Sequence, residues 1–192
     1  MKHRAIFLDR DGTMNQDDGY TYRVGDYHLY PWTIEAVQLL NRSGWKVVVV
    51  SNQSGVARGL FSEEDVREVH QYLVRQIKAG GAWLDAIYYC PHHPEGIIPE
   101  YSILCRCRKP FTGMLERAVA DLGIDLAGSW VIGDKYDIDI QLARNAGIHS
   151  ALVLTGYGRE AFEARHRGWD FQPDLIADHL LQAVEAILRS VV

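Results

Sequence analysis

Short apolar runs alternate along the chain with longer segments in which hydrophobic residues recur at helical spacing. The runs typical of buried strands lie at residues 5–8, 46–50, 86–89, 130–132 and 151–154. The segments typical of helices lie at residues 33–40, from a capping box at 62–65 to Gly80, and at residues 113–122, 139–146 and 175–190. This alternation predicts an α/β fold with a Rossmann-like parallel sheet and helices on both faces.

The segments between these elements are mostly polar and irregular. Residues 14–31 are rich in Asp, Gly and Tyr without helical period, so we predict a flap and a minimal cap there. Residues 91–110 and 157–173 have no clear period either. Thr33 is the predicted N-cap of the first helix, and Gly44 is its predicted end. We expect a single domain over residues 1–192, because no repeat or linker interrupts the pattern.

Composition limits the classes of function. The chain has 192 residues and a formal net charge of −5, without a basic stripe, so we expect no nucleic-acid partner. It has no run of about 18 apolar residues, the length that a membrane-spanning helix needs. The run at residues 5–8 ends at Asp9 and is too short for the core of a signal peptide. We therefore expect a cytoplasmic protein with no membrane partner and, as nothing suggests an obligate interface, a monomer.

Polar groups follow the predicted strands. Asp9 and Asp11 come after the first strand, Ser51 after the second and Asp134 after the fourth, while the third leads through a loop to Lys109. Ligands bind at the carboxyl ends of strands in open parallel sheets, so we expect these groups to meet. Asp9 and Asp11 point to the same side of an extended segment. Their repulsion favours a bound cation or a proton. Mg²⁺ suits such a site because it takes oxygen ligands, and Asp134 can add a third carboxylate.

This set of groups predicts phosphoryl transfer. One carboxylate attacks phosphorus, and the neighbouring acid protonates the leaving oxygen. Ser51 hydrogen-bonds a phosphoryl oxygen, and Lys109 offsets its growing charge. Taken singly, each has a simpler explanation: the Asp pair as a solvated turn, Ser51 as a turn or cap residue, and Lys109 as a surface charge. The ordered set favours the chemical interpretation.

The three cysteines lie close together in the chain, as Cys90, Cys105 and Cys107. With one imidazole from His92 or His93 they form a set of ligands typical of a closed, structural zinc site. Spacing alone does not distinguish His92 from His93. The alternative is three free thiols in a reduced cytoplasm, and their clustering beside two histidines favours the metal.

The segment Asp9-Arg10-Asp11-Gly12-Thr13 resembles DxDGT, the first motif of the haloacid dehalogenase-like (HAD) phosphatase superfamily. Ser51, Lys109 and Gly133-Asp134 match its second, third and fourth motifs in order. The resemblance implies that Asp9 is the nucleophile and Asp11 the general acid/base. It also implies that magnesium is held by the carboxylates of Asp9 and Asp134 and by the main-chain carbonyl of Asp11.

The fourth motif departs from the superfamily pattern. A further acid usually follows its first acid by four residues, and here that position is Ile138, between Asp137 and Asp139. We favour Asp139 as the equivalent acid because it begins the predicted helix.

The segments Cys90-Pro91-His92-His93-Pro94 and Cys105-Arg106-Cys107-Arg108-Lys109-Pro110 resemble the zinc loop, residues 90–107 here, of D-glycero-D-manno-heptose-1,7-bisphosphate 7-phosphatases. The resemblance implies that His92 is the zinc ligand. It also implies hydrolysis of the 7-phosphate of the sugar bisphosphate. We predict contacts to the sugar or its distal phosphate from Asp17, Asp18, Gly19, Tyr20, Asn52, Gln53, Ser54, Arg108 and Lys135.

Other functions are compatible with parts of this pattern. Histidinol-phosphate phosphatases of the same subfamily have a similar zinc loop and a substrate with one phosphate. A zinc-stabilised binding module without catalysis is a second alternative, although the intact strand-end carboxylates favour an enzyme. Phosphoryl transfer to a sugar or nucleotide, as in the superfamily's mutases, would need a larger cap than residues 14–31 provide.

Overall fold

Strands and helices alternate along the chain in the computed structural model, which describes residues 3–17 and 19–190. The strands are Ala5–Leu8 (β1), Lys46–Asn52 (β2), Ala86–Cys90 (β3), Trp130–Gly133 (β4), His149–Val153 (β5) and Leu175–Ala177 (β6). They form one six-stranded sheet in the order β3-β2-β1-β4-β5-β6, and every neighbouring pair is parallel. The predicted α/β class with a parallel sheet is confirmed.

Helices cover both faces of this sheet. They are Thr33–Arg42 (α1), Glu63–Ala79 (α2), Gly113–Leu122 (α3), Gln141–Ala146 (α4), Gly158–Arg165 (α5) and Leu180–Ser190 (α6). Helices α1, α2 and α6 pack into one core, and α3 and α4 pack into the core on the opposite face. Within the described ranges, no helix is both long enough and apolar enough to cross a membrane.

The central strand β1 shows why the sequence of a strand can be apolar throughout. Ile6 and Leu8 lie in the core with α1 and α2, whereas Ala5 and Phe7 lie in the core with α3. Successive side chains of a strand point to opposite faces, so a strand covered on both sides buries all of them. All four of these residues are fully buried. The backbone of β1 is therefore held rigidly up to the residue before Asp9.

The prediction of one helix over residues 175–190 is wrong at its start. Leu175–Ala177 form β6, which pairs with β5, and α6 begins only at Leu180. A short apolar run fits a strand or a buried helix equally well in sequence, and here the open edge of β5 decides. Strand β5 likewise begins at His149, before the predicted start at residue 151.

The two predicted N-caps have different outcomes. The capping box of α2 is confirmed, because the Ser62 side chain accepts from the Asp65 N–H and the Asp65 carboxylate accepts from the Ser62 N–H. Thr33 is not a cap, since it lies within the first turn of α1. Its hydroxyl instead donates to the Met14 carbonyl at 2.6 Å, which ties α1 to the beginning of the predicted flap.

The predicted flap contains little regular structure. A 3₁₀ turn covers Val24–Asp26, and an isolated antiparallel bridge joins Asn15 to Leu29. The Tyr30 N–H also donates to the Met14 carbonyl at 3.0 Å, so both ends of the segment meet. These contacts close the segment as a loop beside the end of β1.

Strands β1 and β4 are neighbours in the sheet but are far apart in the chain. From β1 the chain builds the side with β2 and β3, and from β4 it builds the side with β5 and β6. Such a switch point opens a crevice outside the carboxyl ends of the two central strands. Asp9 and Asp134, which follow β1 and β4, lie at this crevice.

Candidate active site

Three buried carboxylates converge at the switch point between β1 and β4. Asp9 and Asp134 directly follow these adjacent strands, and Asp139 comes from the turn after β4. Each offers an oxygen within 4.8 Å of the other two. Three buried carboxylates this close would repel one another strongly if all were ionised, so the cluster favours a nearby cation or a bound proton.

Lys109 supplies such a cation. Its Nζ donates to Asp9 Oδ1 at 2.7 Å and to Asp139 Oδ1 at 2.6 Å. Burial alone would lower the pKa of Lys109, but the charges of Asp139 and Asp9 raise it above its usual value. The Asn52 side chain both donates to the main-chain carbonyl of Lys109 and accepts from its N–H, at 3.0 Å each. Asn52, predicted as a sugar contact, therefore also positions Lys109.

Asp134 has an oxygen that fits a metal ion. Its Oδ2 accepts from the Tyr157 N–H at 2.9 Å, whereas its Oδ1 is buried and has no hydrogen-bond partner among the described residues. Burial raises the pKa of Asp134 well above its usual value, opposed by Lys135 and reinforced by Asp9 and Asp139. An oxygen-coordinating cation such as Mg²⁺ would satisfy Oδ1 and offset the charge.

A π-helical turn over Tyr136–Ile140 accounts for the unusual spacing of the fourth motif. A π turn contains more residues than an α turn, and such turns occur mostly as single insertions at functional sites. The Gln141 N–H reaches the Tyr136 carbonyl across this turn. The turn leaves Asp137 exposed and buries Asp139 against Lys109. Of the two acids considered for this position, Asp139 is the one in the carboxylate cluster.

Asp11 lies beside the cluster in a separate hydrogen-bond network. Its carboxylate accepts from Arg10 Nε, from Asn15 Nδ2 at 3.0 Å and from Gln53 Nε2 at 2.9 Å. Gln53 Nε2 also donates to Ser51 Oγ at 2.8 Å, which links the second strand end to Asp11. Burial raises the pKa of Asp11, but the Arg10 charge and these hydrogen bonds outweigh burial and lower it.

A cavity of about 300 Å³ opens beside Asp11. Its lining includes the predicted substrate contacts Asp17, Gly19, Tyr20, Asn52, Gln53, Ser54, Arg108 and Lys135. Asp18, which was predicted with them, lies outside the described residues. Lys135 Nζ pairs with Asp17 Oδ2 at 3.2 Å across the cavity. A larger cavity of about 770 Å³ lies along residues 163–170 and is not lined by any residue of the first motif, whereas Asp11 lines the smaller cavity, so we place the chemistry at the smaller one.

The loop after β5 contributes contacts that the sequence analysis missed. The Thr155 hydroxyl donates to the Gly12 carbonyl at 2.6 Å, and the Tyr157 N–H holds Asp134. Gly156 has φ +52°, and a Cβ there would lie 2.2 Å from Asp134 Oδ2. The sequence could have indicated this loop, because the turn-forming residues Thr-Gly-Tyr-Gly directly follow a predicted strand. They therefore lie at the edge of the sheet where ligands bind.

Cys90, His92, Cys105 and Cys107 offer ligand atoms that lie within 4.8 Å of one another. The His92 Nδ1 atom is 3.6 Å from Cys90 Sγ and 3.5 Å from Cys107 Sγ. His93 points elsewhere: its Nδ1 accepts from the Glu95 N–H, and its Nε2 faces Arg58. A hydrogen bond to Cys90, together with burial, raises the pKa of the Cys107 thiol far above its usual value. A thiolate-binding metal such as zinc fits this group of donors.

The cysteine loop reaches the cavity through Arg108. Arg108 Nη1 donates to the main-chain carbonyl of His92 at 3.3 Å, and its side chain lines the cavity. Burial lowers the pKa of Arg108, opposed by the nearby Cys90. The four-residue ligand group and the cavity are thus connected through one side chain.

Comparison with known proteins gives concordant results. A family profile described as HAD-hydrolase-like matches residues 106–183. A D-glycero-D-manno-heptose-1,7-bisphosphate 7-phosphatase of Thermosynechococcus vestitus is 44% identical over 191 residues, which cover 97% of this chain and 96% of that protein. A D-glycero-beta-D-manno-heptose-1,7-bisphosphate 7-phosphatase of Yersinia pestis is 44% identical over 153 residues, 79% of this chain and 81% of that protein.

Solved structures agree with these relatives. The crystal structure of D,D-heptose 1.7-bisphosphate phosphatase from B. bronchiseptica, complexed with magnesium and phosphate, matches with a TM-score of 0.84. It is 34% identical, and the match covers 97% of this chain and 99% of that one. Both the superfamily and the narrower family proposed from the motifs are confirmed. The chain belongs to the D-glycero-D-manno-heptose-1,7-bisphosphate 7-phosphatase family of the HAD superfamily.

Proposed function

We propose that this protein hydrolyses the 7-phosphate of D-glycero-D-manno-heptose 1,7-bisphosphate through an aspartyl-phosphate intermediate on Asp9. The observation that carries the proposal is the buried cluster of Asp9, Asp134 and Asp139 around Lys109, next to Asp11 and an open polar cavity. A phosphoryl group that enters the cavity meets Asp11 and the cations Arg108 and Lys135 in its lining. Asp9, two residues before Asp11 in the chain, is paired with Lys109. Family membership supplies the identity of the sugar.

In the first step, an Asp9 carboxylate oxygen attacks phosphorus in line, and the bond between phosphorus and the sugar oxygen breaks. Asp11 donates a proton to that oxygen, so the sugar leaves as an alcohol. The pKa of Asp11 is lowered in the free protein. A dianionic phosphoryl group beside Asp11 raises that pKa through like-charge repulsion, which favours the protonated form needed for this step.

In the second step, water attacks the phosphorus of the aspartyl phosphate while Asp11 accepts a proton from the water. The bond between phosphorus and the Asp9 oxygen breaks, which restores the carboxylate and releases inorganic phosphate. Lys109 and Ser51 stabilise the charge that grows on the phosphoryl oxygens in both steps.

We assign the magnesium site to the carboxylates of Asp9 and Asp134 and to the main-chain carbonyl of Asp11. The unpartnered, buried Oδ1 of Asp134 supports this assignment. When bound, the ion supplies positive charge next to the transferring phosphoryl group. Asp139 is already paired with Lys109, and we assign it the role of orienting that side chain.

We also propose that zinc binds Cys90, His92, Cys105 and Cys107 and has a structural role. Four protein ligands complete a tetrahedral site and leave no position for a reacting water. Such a metal would fix the loop that carries Arg108. A guanidinium binds phosphate oxygens bidentately, so we assign the distal 1-phosphate to Arg108.

The decisive experiment measures phosphate release in the presence of Mg²⁺ from both anomers of the heptose bisphosphate, fructose bisphosphate and histidinol phosphate. We expect the highest kcat/KM for a heptose bisphosphate anomer and no turnover by the Asp9→Asn variant, which should remain folded. A preference for histidinol phosphate would overturn the substrate assignment. Turnover by Asp9→Asn, in protein free of contaminating phosphatase, would overturn the nucleophile.

Two expectations about the whole protein stay predictions. We propose that it acts in the cytoplasm, where a sugar bisphosphate and reduced thiols are both present. We also propose that it is a monomer, because every group assigned to the mechanism comes from one chain. Light scattering coupled to size exclusion tests the second point, and a dimer mass would contradict it.

A further inference from the structure

Arg10 is the largest fully buried side chain among the described residues, although it lies between two acids of the first motif. Its Nε is 3.0 Å from each oxygen of Asp11, and its Nη2 is 2.8 Å from Asp11 Oδ2. Its Nη2 also donates to the main-chain carbonyl of Thr21 at 3.0 Å. Burying a guanidinium is costly, and this pairing with a carboxylate offsets part of the cost, while Nη1 is buried without a partner among the described residues.

The surroundings of Arg10 exclude direct contact with substrate. Its side chain is 1% exposed and is absent from the lining of the 300 Å³ cavity. The guanidinium lies over the ring of the buried Tyr27, 5.8 Å from its centroid. Arg10 thus faces Asp11 from the protein interior, on the side away from the cavity.

We infer that Arg10 is a positioning residue that holds the Asp11 carboxylate at the cavity and joins it to the flap at Thr21. Asn15 and Gln53 each donate one hydrogen bond to Asp11, whereas Arg10 contacts both of its oxygens and thereby sets the plane of the carboxylate. The Thr21 contact uses the main chain of the segment that carries Gly19 and Tyr20 into the cavity. This inference rests on the proposed function, because it requires Asp11 to be the general acid/base.

The test separates proton donation from nucleophilic attack by changing the leaving group. A sugar alkoxide must be protonated as it leaves, whereas p-nitrophenolate leaves readily without a proton. We expect Arg10→Gln to lower kcat for the heptose bisphosphate about 100-fold, within the range of general acid catalysis, and to change KM less than about threefold. The first-turnover burst of p-nitrophenolate from p-nitrophenyl phosphate should change less than about threefold.

Arg10→Lys keeps the charge but loses the planar fork, so we expect an intermediate loss of about 10-fold in kcat. If Arg10→Gln does not fold, the same measurements are made on Arg10→Lys alone. The matched control is Arg67→Lys on the exposed surface of α2, which should behave as wild type. Asp11→Asn should show the same pattern as Arg10→Gln, with slow sugar turnover and a preserved burst.

Two results would overturn the inference. An equal loss of burst and sugar turnover in Arg10→Lys would mean that Arg10 supports the nucleophile or the fold rather than the acid. Unchanged kcat in both Arg10 variants would mean that Asp11 is positioned without Arg10. Failure of the proposed function is distinguishable, because Asp9→Asn would then retain both the burst and the turnover.

Discussion

Main-chain groups orient the side chains of the site as much as other side chains do. Asp134 is held by the Tyr157 N–H, and the adjacent Gly156 and Gly12 allow the two loops to approach its carboxylate closely. A Cβ at Gly156 would lie 2.2 Å from Asp134 Oδ2 and 2.7 Å from the Gly12 Cα. At this position a side chain is excluded both by space and by the left-handed backbone.

We therefore expect Gly156→Ala to weaken magnesium binding. The added methyl group displaces Asp134, and the Mg²⁺ concentration for half-maximal activity should rise about 10-fold, the scale on which altered support of a metal ligand acts. The matched control is Gly147→Ala, which has φ +66° and no atom within 4 Å of the built Cβ. Backbone strain should cost both variants about 1–2 kcal/mol of stability, and the clash at Gly156 should add to the loss in that variant alone. Equal magnesium dependence in the two variants would contradict the role of Gly156.

The site residues that the sequence predicted act through their own side chains. The residues that it did not predict act through the main chain or through contacts made only in the folded protein. Asp9 and Asp134 were identifiable because their carboxylates directly follow apolar runs, and Lys109 because it stands in the order of the superfamily's motifs. Tyr157 acts through its main-chain N–H, which every residue except proline has, so its sequence identity says little. Arg10 was missed because its burial depends on the distant flap, which no local pattern encodes.

At the scale of elements, two irregular segments place side chains at the site: the π turn after β4 and the cysteine loop after β3. The π turn Tyr136–Ile140 brings Asp139 to Lys109, and the cysteine loop places Arg108 at the cavity. The helix over residues 139–146 and the shifted acid of the fourth motif were visible in the sequence. The π turn was not, since its hydrogen bonds differ from those of an α-helix by only one residue. Strand β6 was missed for a related reason, because its three residues are too few to show a period.

The histidine pair in the cysteine loop provides a matched test of the zinc site. His92 faces the thiols, whereas its neighbour His93 faces Arg58 and Glu95. We expect about one zinc per chain in wild type and His93→Ala, and none in His92→Ala. Loss of the metal should lower the melting temperature by about 4–8 °C, which corresponds to about 2 kcal/mol in a chain of this size.

Zinc content measured by atomic emission, together with limited proteolysis, checks this prediction. In His92→Ala, new cleavage sites should appear within residues 91–110 because the loop has no regular secondary structure to hold it. Zinc that persists in His92→Ala, or is lost from His93→Ala, would contradict the ligand assignment.

At the scale of the whole molecule, a buried histidine couples global stability to pH. His70 is 8% exposed, packs against the Tyr89 ring, and has an Nε2 without a partner among the described residues. Burial lowers the pKa of His70 to about 3, and the charge of Arg10 adds to this effect while Asp11 opposes it. The unfolded chain has an ordinary histidine pKa near 6.5. Below that pH the unfolded chain binds a proton that the folded chain does not.

Stability should therefore fall on acidification from pH 6.5 towards 3, by up to about 1.4 kcal/mol per pH unit from this residue. His70→Gln removes the titrating group, so its free energy of unfolding should decline less steeply between pH 6.5 and 4.5 than that of wild type. Urea titrations at several pH values measure the difference. His28→Gln, at an exposed position, serves as control. Parallel curves for wild type and His70→Gln would contradict the prediction.

The strand order has a consequence for the order in which the protein is made. Synthesis proceeds from the amino terminus, so β1, β2 and β3 leave the ribosome before β4. The emerging half carries Asp9, but its partner Asp134 arrives only after the later half has docked beside β1. An unfinished chain thus holds Asp9 without its companion carboxylate. Under the proposed function, in which Asp9 and Asp134 act together, hydrolysis of phosphate esters requires both halves of the sheet, so we expect catalytic activity to report completed assembly.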